Sequence, residues 1–297
     1  MGLSDRIIAR ALPLVPKSIV RRVANRYIAG ETSDEALRVA AGLNQRGIRA
    51  TLDILGEDTH TIDQARRAVN EYQELLEEIH RRRLDANVSI KLTQLGLKVD
   101  ARTCLELTGG LVQRAGELGN FVRIDMENSS CTNDTFEIYR ALRRDYSNVG
   151  VVIQAYLRRT VDDVVDMEDM RPNYRLCKGV YVEPRELAYH DMRAINRNYA
   201  YVLEKLLRNG SYVGIATHDE LIVWEAFRLI RDLKLPPSAY EFQMLLGVDE
   251  QLRDIILAAG HKLRVYIPFG RDWYAYSVRR LKENPRLAGY VVRAMFK

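Results

Sequence analysis

From Ile48 onward one unit recurs: a short apolar run of β character, a longer stretch of helical periodicity, then turn residues before the next run. The runs are IRATLDIL from Ile48, NVSIKL from Asn87, FVRIDM from Phe121, VGVVIQA from Val149, NYRLC from Asn173, YVGIAT from Tyr212, AYEFQM from Ala239 and LRVYI from Leu263. Gly47, Gly119-Asn120, Ser147-Asn148, Pro172-Asn173, Asn209-Gly210, Pro236-Pro237 and Gly260 stand where a helix should stop and a strand begin. Eight such units predict an α/β fold, a closed (β/α)8 TIM-like barrel, because right-handed crossovers between parallel strands close naturally at that number. An open doubly wound sheet is the alternative.

With 297 residues, 47% of them hydrophobic and 29% charged, the chain can bury a sizeable core. It has no apolar run of membrane-spanning length and no secretory signal pattern, so the expected compartment is the cytoplasm. Three scattered cysteines form neither a disulfide framework nor a metal pattern, and the five histidines include no HExxH, so no metal is expected. Arg6, Arg10, Lys17, Arg21, Arg22 and Arg26 against Asp5 give residues 1–30 a charge of +5, equal to that of the whole chain. We therefore divide the chain into a basic, amphipathic N-terminal helical segment, 1–45, and a catalytic barrel, 46–297. The leader reads either as helices packed on the barrel or as a docking element for an anionic membrane surface or a partner. It lacks the aromatic interleaving of single-strand binders, which argues against a nucleic-acid role, and MGLSDR does not fit a myristoylation signal.

Active sites of such barrels lie where the strands end. Those ends carry Asp53, Lys91, Asp125 with Glu127, Gln154 with Tyr156, Arg175 with Lys178, Thr217 with His218 and Asp219, Glu241 with Gln243, and Tyr266. Some are turn and capping residues, Thr217 and Asp219 above all. The charges inside SIKLT, RIDME and YRLCKG are harder to explain that way, because ions in apolar strands are costly unless paired or facing a polar cavity. They predict a polar, ligand-binding mouth. In the last unit, Tyr276, Arg279, Arg280 and Glu283 share a helix, and neighbouring guanidiniums suit a planar anion such as a carboxylate. A helix running down the outside would carry them away from the mouth, so the eighth helix is expected to lie across the top.

VSIKLTQLG, VRIDME, VVIQAY, YRLCKGVY, IATHD, YEFQML and RVYIPFG followed by YxxxVRRLxEN resemble, in order and spacing, the proline dehydrogenase family, over roughly Ala50 to Asn284. The resemblance implies FAD-dependent oxidation of L-proline to 1-pyrroline-5-carboxylate, with electrons passed to a quinone and a pyrroline-5-carboxylate dehydrogenase as partner. No two of the eighteen glycines are separated by one residue, which excludes a GxGxxG fingerprint. The family instead holds FAD at the barrel mouth with side chains. By resemblance Gln154 faces the flavin ring, Arg175 lies near its reactive nitrogen, Lys178, Gly179, Val180, Thr217 and His218 hold the remainder, and Met126 packs beside it. Arg279, Arg280 and Lys91 would grip the substrate carboxylate. Asp125 and Glu283 would orient these cations, Tyr266 would pack against the proline ring, and Tyr181 and Tyr276 would line the pocket. The competing readings are a Schiff-base lyase or racemase using Lys91 or Lys178, and a non-catalytic scaffold.

Overall fold

A computed structural model describes residues 20, 21, 24–56, 58–274, 276 and 277. A helix α1 (Ser33–Asn44) precedes β1 (Arg49–Ile54), α2 (Ile62–Arg81), β2 (Ala86–Ile90), α3 (Ala101–Glu117), β3 (Val122–Ile124), α4 (Thr132–Asp145) and β4 (Val149–Gln154). The alternation continues through α5 (Thr160–Val165), β5 (Tyr174–Cys177), α6 (Met192–Arg208), β6 (Val213–Ala216), α7 (Glu220–Asp232), β7 (Tyr240–Leu245), α8 (Glu250–Ala258) and β8 (Leu263–Phe269). All strands are parallel and close in sequence order, with β8 pairing β1 from Arg49↔Arg264 to Ile54↔Phe269. The chain therefore folds as the eight-stranded barrel that its repeating units predict.

Helix starts follow side-chain chemistry. Thr32 and Thr61 form capping boxes with Glu35 and Gln64, while Asp100, Asp191, Asp219 and Asp249 accept backbone N–H groups at the starts of α3, α6, α7 and α8.

Strand side chains alternate between two environments. One set, including Leu52, Val88, Ile90, Val122, Ile124, Val151, Ile153, Leu176, Ile215, Val265 and Ile267, is buried with helix residues such as Leu75, Leu76, Leu203 and Leu229 in one continuous apolar core. The other set points into the lumen and is largely polar. Arg175 on β5 bonds to groups of β2, β3 and β7, none of which neighbours β5, so these bonds must cross the barrel interior. Barrels of this kind usually fill the lumen with branched apolar side chains. Here ion pairs and amides occupy it.

The stretch leading into α1 lies along the end of β8: Ala29 N donates to Pro268 O at 2.9 Å and Gly270 N to Gly30 O at 3.0 Å. Val20, Ala24, Tyr27 and Ile28 pack with Leu55 and against Trp273, Tyr274 and Tyr276. Glu31 ties the two segments, pairing with Arg21 at 2.9 Å and accepting from Trp273 Nε1 at 3.1 Å. The first nineteen residues of the basic leader, and the course over the mouth expected of the helix after β8 that carries Arg279, Arg280 and Glu283, lie outside the described residues.

Candidate active site

Ser89, Lys91, Asp125, Arg175, Gln243 and Tyr266 occupy lumen-facing positions within or just beyond five strands, and they converge. Lys91 Nζ is 2.6 Å from Asp53 Oδ1 and 3.8 Å from Asp125 Oδ2. Arg175 Nη1 donates to Asp125 Oδ1 at 2.7 Å and to Ser89 Oγ at 3.0 Å, and its Nε donates to Gln243 Oε1 at 2.5 Å. Ser89 Oγ donates to Asp125 Oδ1 at 2.6 Å and the Tyr266 hydroxyl to Asp125 Oδ2 at 2.8 Å. The guanidinium lies over the Tyr266 ring, 5.1 Å from its centroid. Asp125 thus accepts from three donors. Its carboxylate is a hub that holds cations and a phenol in place.

Burial and charge fix the protonation states around this hub. Burial alone would lower the Lys91 pKa, but Asp53 and then Asp125 outweigh it and raise it above the ordinary lysine value. Lys91 is an ammonium at neutral pH, whereas an imine-forming lysine needs the opposite shift. The Tyr266 phenol is pushed up by burial and by Asp125, so it stays a donor. Toward the base of the barrel, Gln243 Nε2 donates to Glu241 Oε1 at 2.7 Å. Arg264 Nε approaches the same oxygen at 2.6 Å, and Arg49 Nη1 reaches Glu241 Oε2 at 3.4 Å. Burial would raise the Glu241 pKa, yet Arg264 leads the groups that hold it down to about 2.

A second group of side chains lines the carboxyl ends of β3 to β6. Gln154 Nε2 donates to Met126 O at 3.4 Å, while its Oε1 is buried with no partner among the described residues. Burial lowers the His218 pKa to about 4, so the ring is neutral. Its Nε2 accepts the Leu245 N–H at 3.0 Å, which assigns the ring proton to Nδ1, also buried and without a partner among the described residues. Thr217 Oγ1 accepts the Asp219 N–H at 3.0 Å, and Asp219 Oδ2 pairs with Lys178 Nζ at 2.6 Å. Gly179 has φ +106°, and a Cβ there would lie 2.1 Å from the Tyr156 ring, so both backbone and packing require glycine. Val180 and Tyr181 follow it, half-buried.

The sequence profile described as proline dehydrogenase matches residues 36–293. The chain belongs to the proline dehydrogenase family. It is 36% identical over 280 residues to the proline dehydrogenase of Deinococcus radiodurans, covering 93% of this chain and 90% of that one. It is 34% identical over 274 residues to proline dehydrogenase 1 of Bacillus subtilis strain 168, covering 92% and 91%. The solved structure of proline utilization A from Bdellovibrio bacteriovorus, inactivated by N-propargylglycine, is similar with a TM-score of 0.81 at 28% identity. That match covers 87% of this chain but only 32% of the longer protein.

Of the site residues expected of a proline dehydrogenase, the structure brings Lys91, Asp125, Arg175 and Tyr266 into direct contact or near it and groups Met126, Gln154, Lys178, Gly179, Val180, Tyr181, Thr217 and His218 at adjoining strand ends. Tyr276 is half-buried in the cluster that includes Leu55 and Tyr27. Arg279, Arg280 and Glu283 lie outside the described residues. Three contributors had no assigned role in the sequence. Asp53 is the nearer partner of Lys91, where Asp125 alone was expected to fix that lysine, and Ser89 and Gln243 both hold Arg175. Asp53 and Gln243 showed only as polar strand ends. For Ser89 the sole signal was its alternation with Lys91.

Proposed function

We propose that the protein binds FAD across the ends of β3 to β6 and oxidises L-proline to 1-pyrroline-5-carboxylate, with electrons passed on to a quinone. The observation that carries this reading is the lumen cluster, in which a locked ammonium, a locked guanidinium and a buried phenol converge on one carboxylate beside strand ends with unpaired buried polar atoms. Gln154 Oε1 and His218 Nδ1 offer one acceptor and one donor without partners among the described residues, which suits a polar heterocyclic ligand. Gln154, Met126 and Arg175 would hold the flavin ring, and Lys178, Gly179, Val180, Thr217 and His218 the rest of the cofactor. When bound, the flavin supplies a two-electron acceptor for the hydride that leaves the ring carbon beside the proline nitrogen.

The chain's own residues bind and orient. Lys91, kept charged by Asp53 and Asp125, would draw the substrate carboxylate together with Arg279 and Arg280, and Glu283, four residues on from Arg279 in the sequence, would orient that pair. Arg175 has Nε and Nη1 bound to protein, and Nη2 has no partner among the described residues, so one N–H edge of a fixed cation remains for a developing negative charge. Tyr266, held at its hydroxyl by Asp125, would present its ring to proline, with Tyr181 and Tyr276 lining the pocket. Only the neutral amine can push electrons into the forming C=N bond, and the ammonium of Lys91 cannot take its proton.

The basic segment 1–45 would meet an anionic membrane where quinone resides, as a peripheral contact of a cytoplasmic protein. No helix among the described residues is long and apolar enough to cross a membrane. A pyrroline-5-carboxylate dehydrogenase is the partner that the product calls for. Purified protein with a flavin spectrum that L-proline bleaches anaerobically is the expected result. A colourless protein with a borohydride-trapped lysine adduct would replace this reading with the Schiff-base one.

A further inference from the structure

We infer that Glu241, acting through the Gln243 amide, is a positioning residue for Arg175, and that Gly214 is present to clear the path between them. This rests on the reading that Arg175 works beside a bound flavin. Arg175 and Gln243 stand on β5 and β7, alternate strands whose lumen-facing side chains share a layer in such barrels, and β6 runs between them. In register, Gly214 of β6 lies beside Arg175 on one side and Glu241 on the other. A Cβ at Gly214 would fall 2.4 Å from Gln243 Nε2. Glycine inside a strand weakens it, and close approach of another group is the usual reason to find one there.

Charge fixes which way the amide points. Glu241 is 2% exposed and ion-paired, with Arg264 Nε at 2.6 Å and Nη2 at 3.3 Å and Arg49 Nη1 at 3.4 Å, while Arg264 Nη1 is anchored on Ala50 O at 2.6 Å. An ionised carboxylate only accepts, so it must meet the amide NH2 of Gln243, at 2.7 Å. That leaves Gln243 Oε1 facing Arg175 Nε, at 2.5 Å. A flipped amide would set acceptor against acceptor at Glu241 and donor against donor at Arg175. The ion pair at the base of the barrel therefore fixes the plane of a guanidinium at its mouth. With Nε on Gln243 and Nη1 on Asp125 and Ser89, the direction of Nη2 follows.

A double-mutant cycle on the holoenzyme tests this, with Gln243→Met, Arg175→Lys and the pair. Gln243→Met keeps the side chain's length and removes both bonds. It should lower kcat about 10- to 100-fold, the range expected of a misplaced group, with KM for L-proline within about twofold. Flavin content and melting temperature should be retained, and the flavin midpoint potential should move to a more negative value, because a cation less firmly held stabilises the reduced flavin less. In the Arg175→Lys background, which lacks the Nε–H, the same substitution should change kcat by less than about twofold. Gly214→Ala is a second variant: it displaces the amide without altering it and should reproduce the kcat and potential changes. Equal fold-losses in both backgrounds, an unchanged kcat in Gln243→Met, or an unmoved potential would overturn the relay. A wild-type protein that L-proline does not reduce would instead overturn the proposed function.

Discussion

His218 should make the fold acid-sensitive by an amount that can be worked out. Burial depresses its folded pKa from 6.5 to about 4, and protonation would also turn Nε2 from an acceptor into a donor facing the Leu245 N–H. Between these values the unfolded chain binds the proton and the folded one resists it, so stability falls as pH drops through 6.5 and the loss is complete near 4. A gap of about 2.5 pH units at 1.36 kcal/mol each is ~3 kcal/mol, and partial solvation of a half-buried ring brings it to about 2 kcal/mol. His218→Gln offers Leu245 a non-titrating acceptor. The wild-type stability measured by urea unfolding, minus that of the variant, should shrink by about 2 kcal/mol from pH 7.5 to 4.5. Carboxylates that titrate in this window contribute to both proteins and cancel. Stability curves that stay parallel across the range would show that His218 does not resist protonation in the folded protein.

Asp53→Asn removes the nearer of the two carboxylates that hold Lys91, with Asp53 fully buried, and should cost about 3 kcal/mol of stability while raising KM for L-proline; unchanged melting and KM would count against the Lys91 grip. Gly179→Ala should cost at least ~1–2 kcal/mol from the positive φ alone, more from the Tyr156 clash, and should release flavin. Part of that loss should return in a Tyr156→Leu background, and its failure to return would show that the ring is not the obstacle. Deleting residues 1–19, which leaves the packed Val20, Ala24, Tyr27 and Ile28 in place, should weaken co-sedimentation with anionic vesicles at low salt more than turnover with a soluble dye, and equal sedimentation would remove the docking role.

The barrel was legible because its signals are local. Each strand run carries apolar side chains at alternate positions, Ala50, Leu52 and Ile54 in β1 for example, and each is bounded by capping or turn residues within a few positions. The lysine, aspartate and arginine embedded in SIKLT, RIDME and YRLCKG violated that local pattern, and Lys91, Asp125 and Arg175 are drawn together in the lumen. Partner choice was not legible. Whether Lys91 meets Asp53 or Asp125 first, and that Arg175 reaches Ser89 and Gln243, depends on the stagger of strands and on which lumen positions share a level, which no short window of sequence encodes. Tyr266 illustrates the difference: a bulky phenol at a strand end suggested packing against a substrate ring, while its bond to Asp125, 141 residues away, appears only once the barrel closes.

Hydride transfer from proline to flavin can be tested by anaerobic single turnover with L-proline deuterated at C5. Bleaching of the flavin should slow several-fold on deuteration, with one equivalent of 1-pyrroline-5-carboxylate formed per flavin reduced. Bleaching at the same rate with either isotopologue, or reduction without that product, would contradict that transfer.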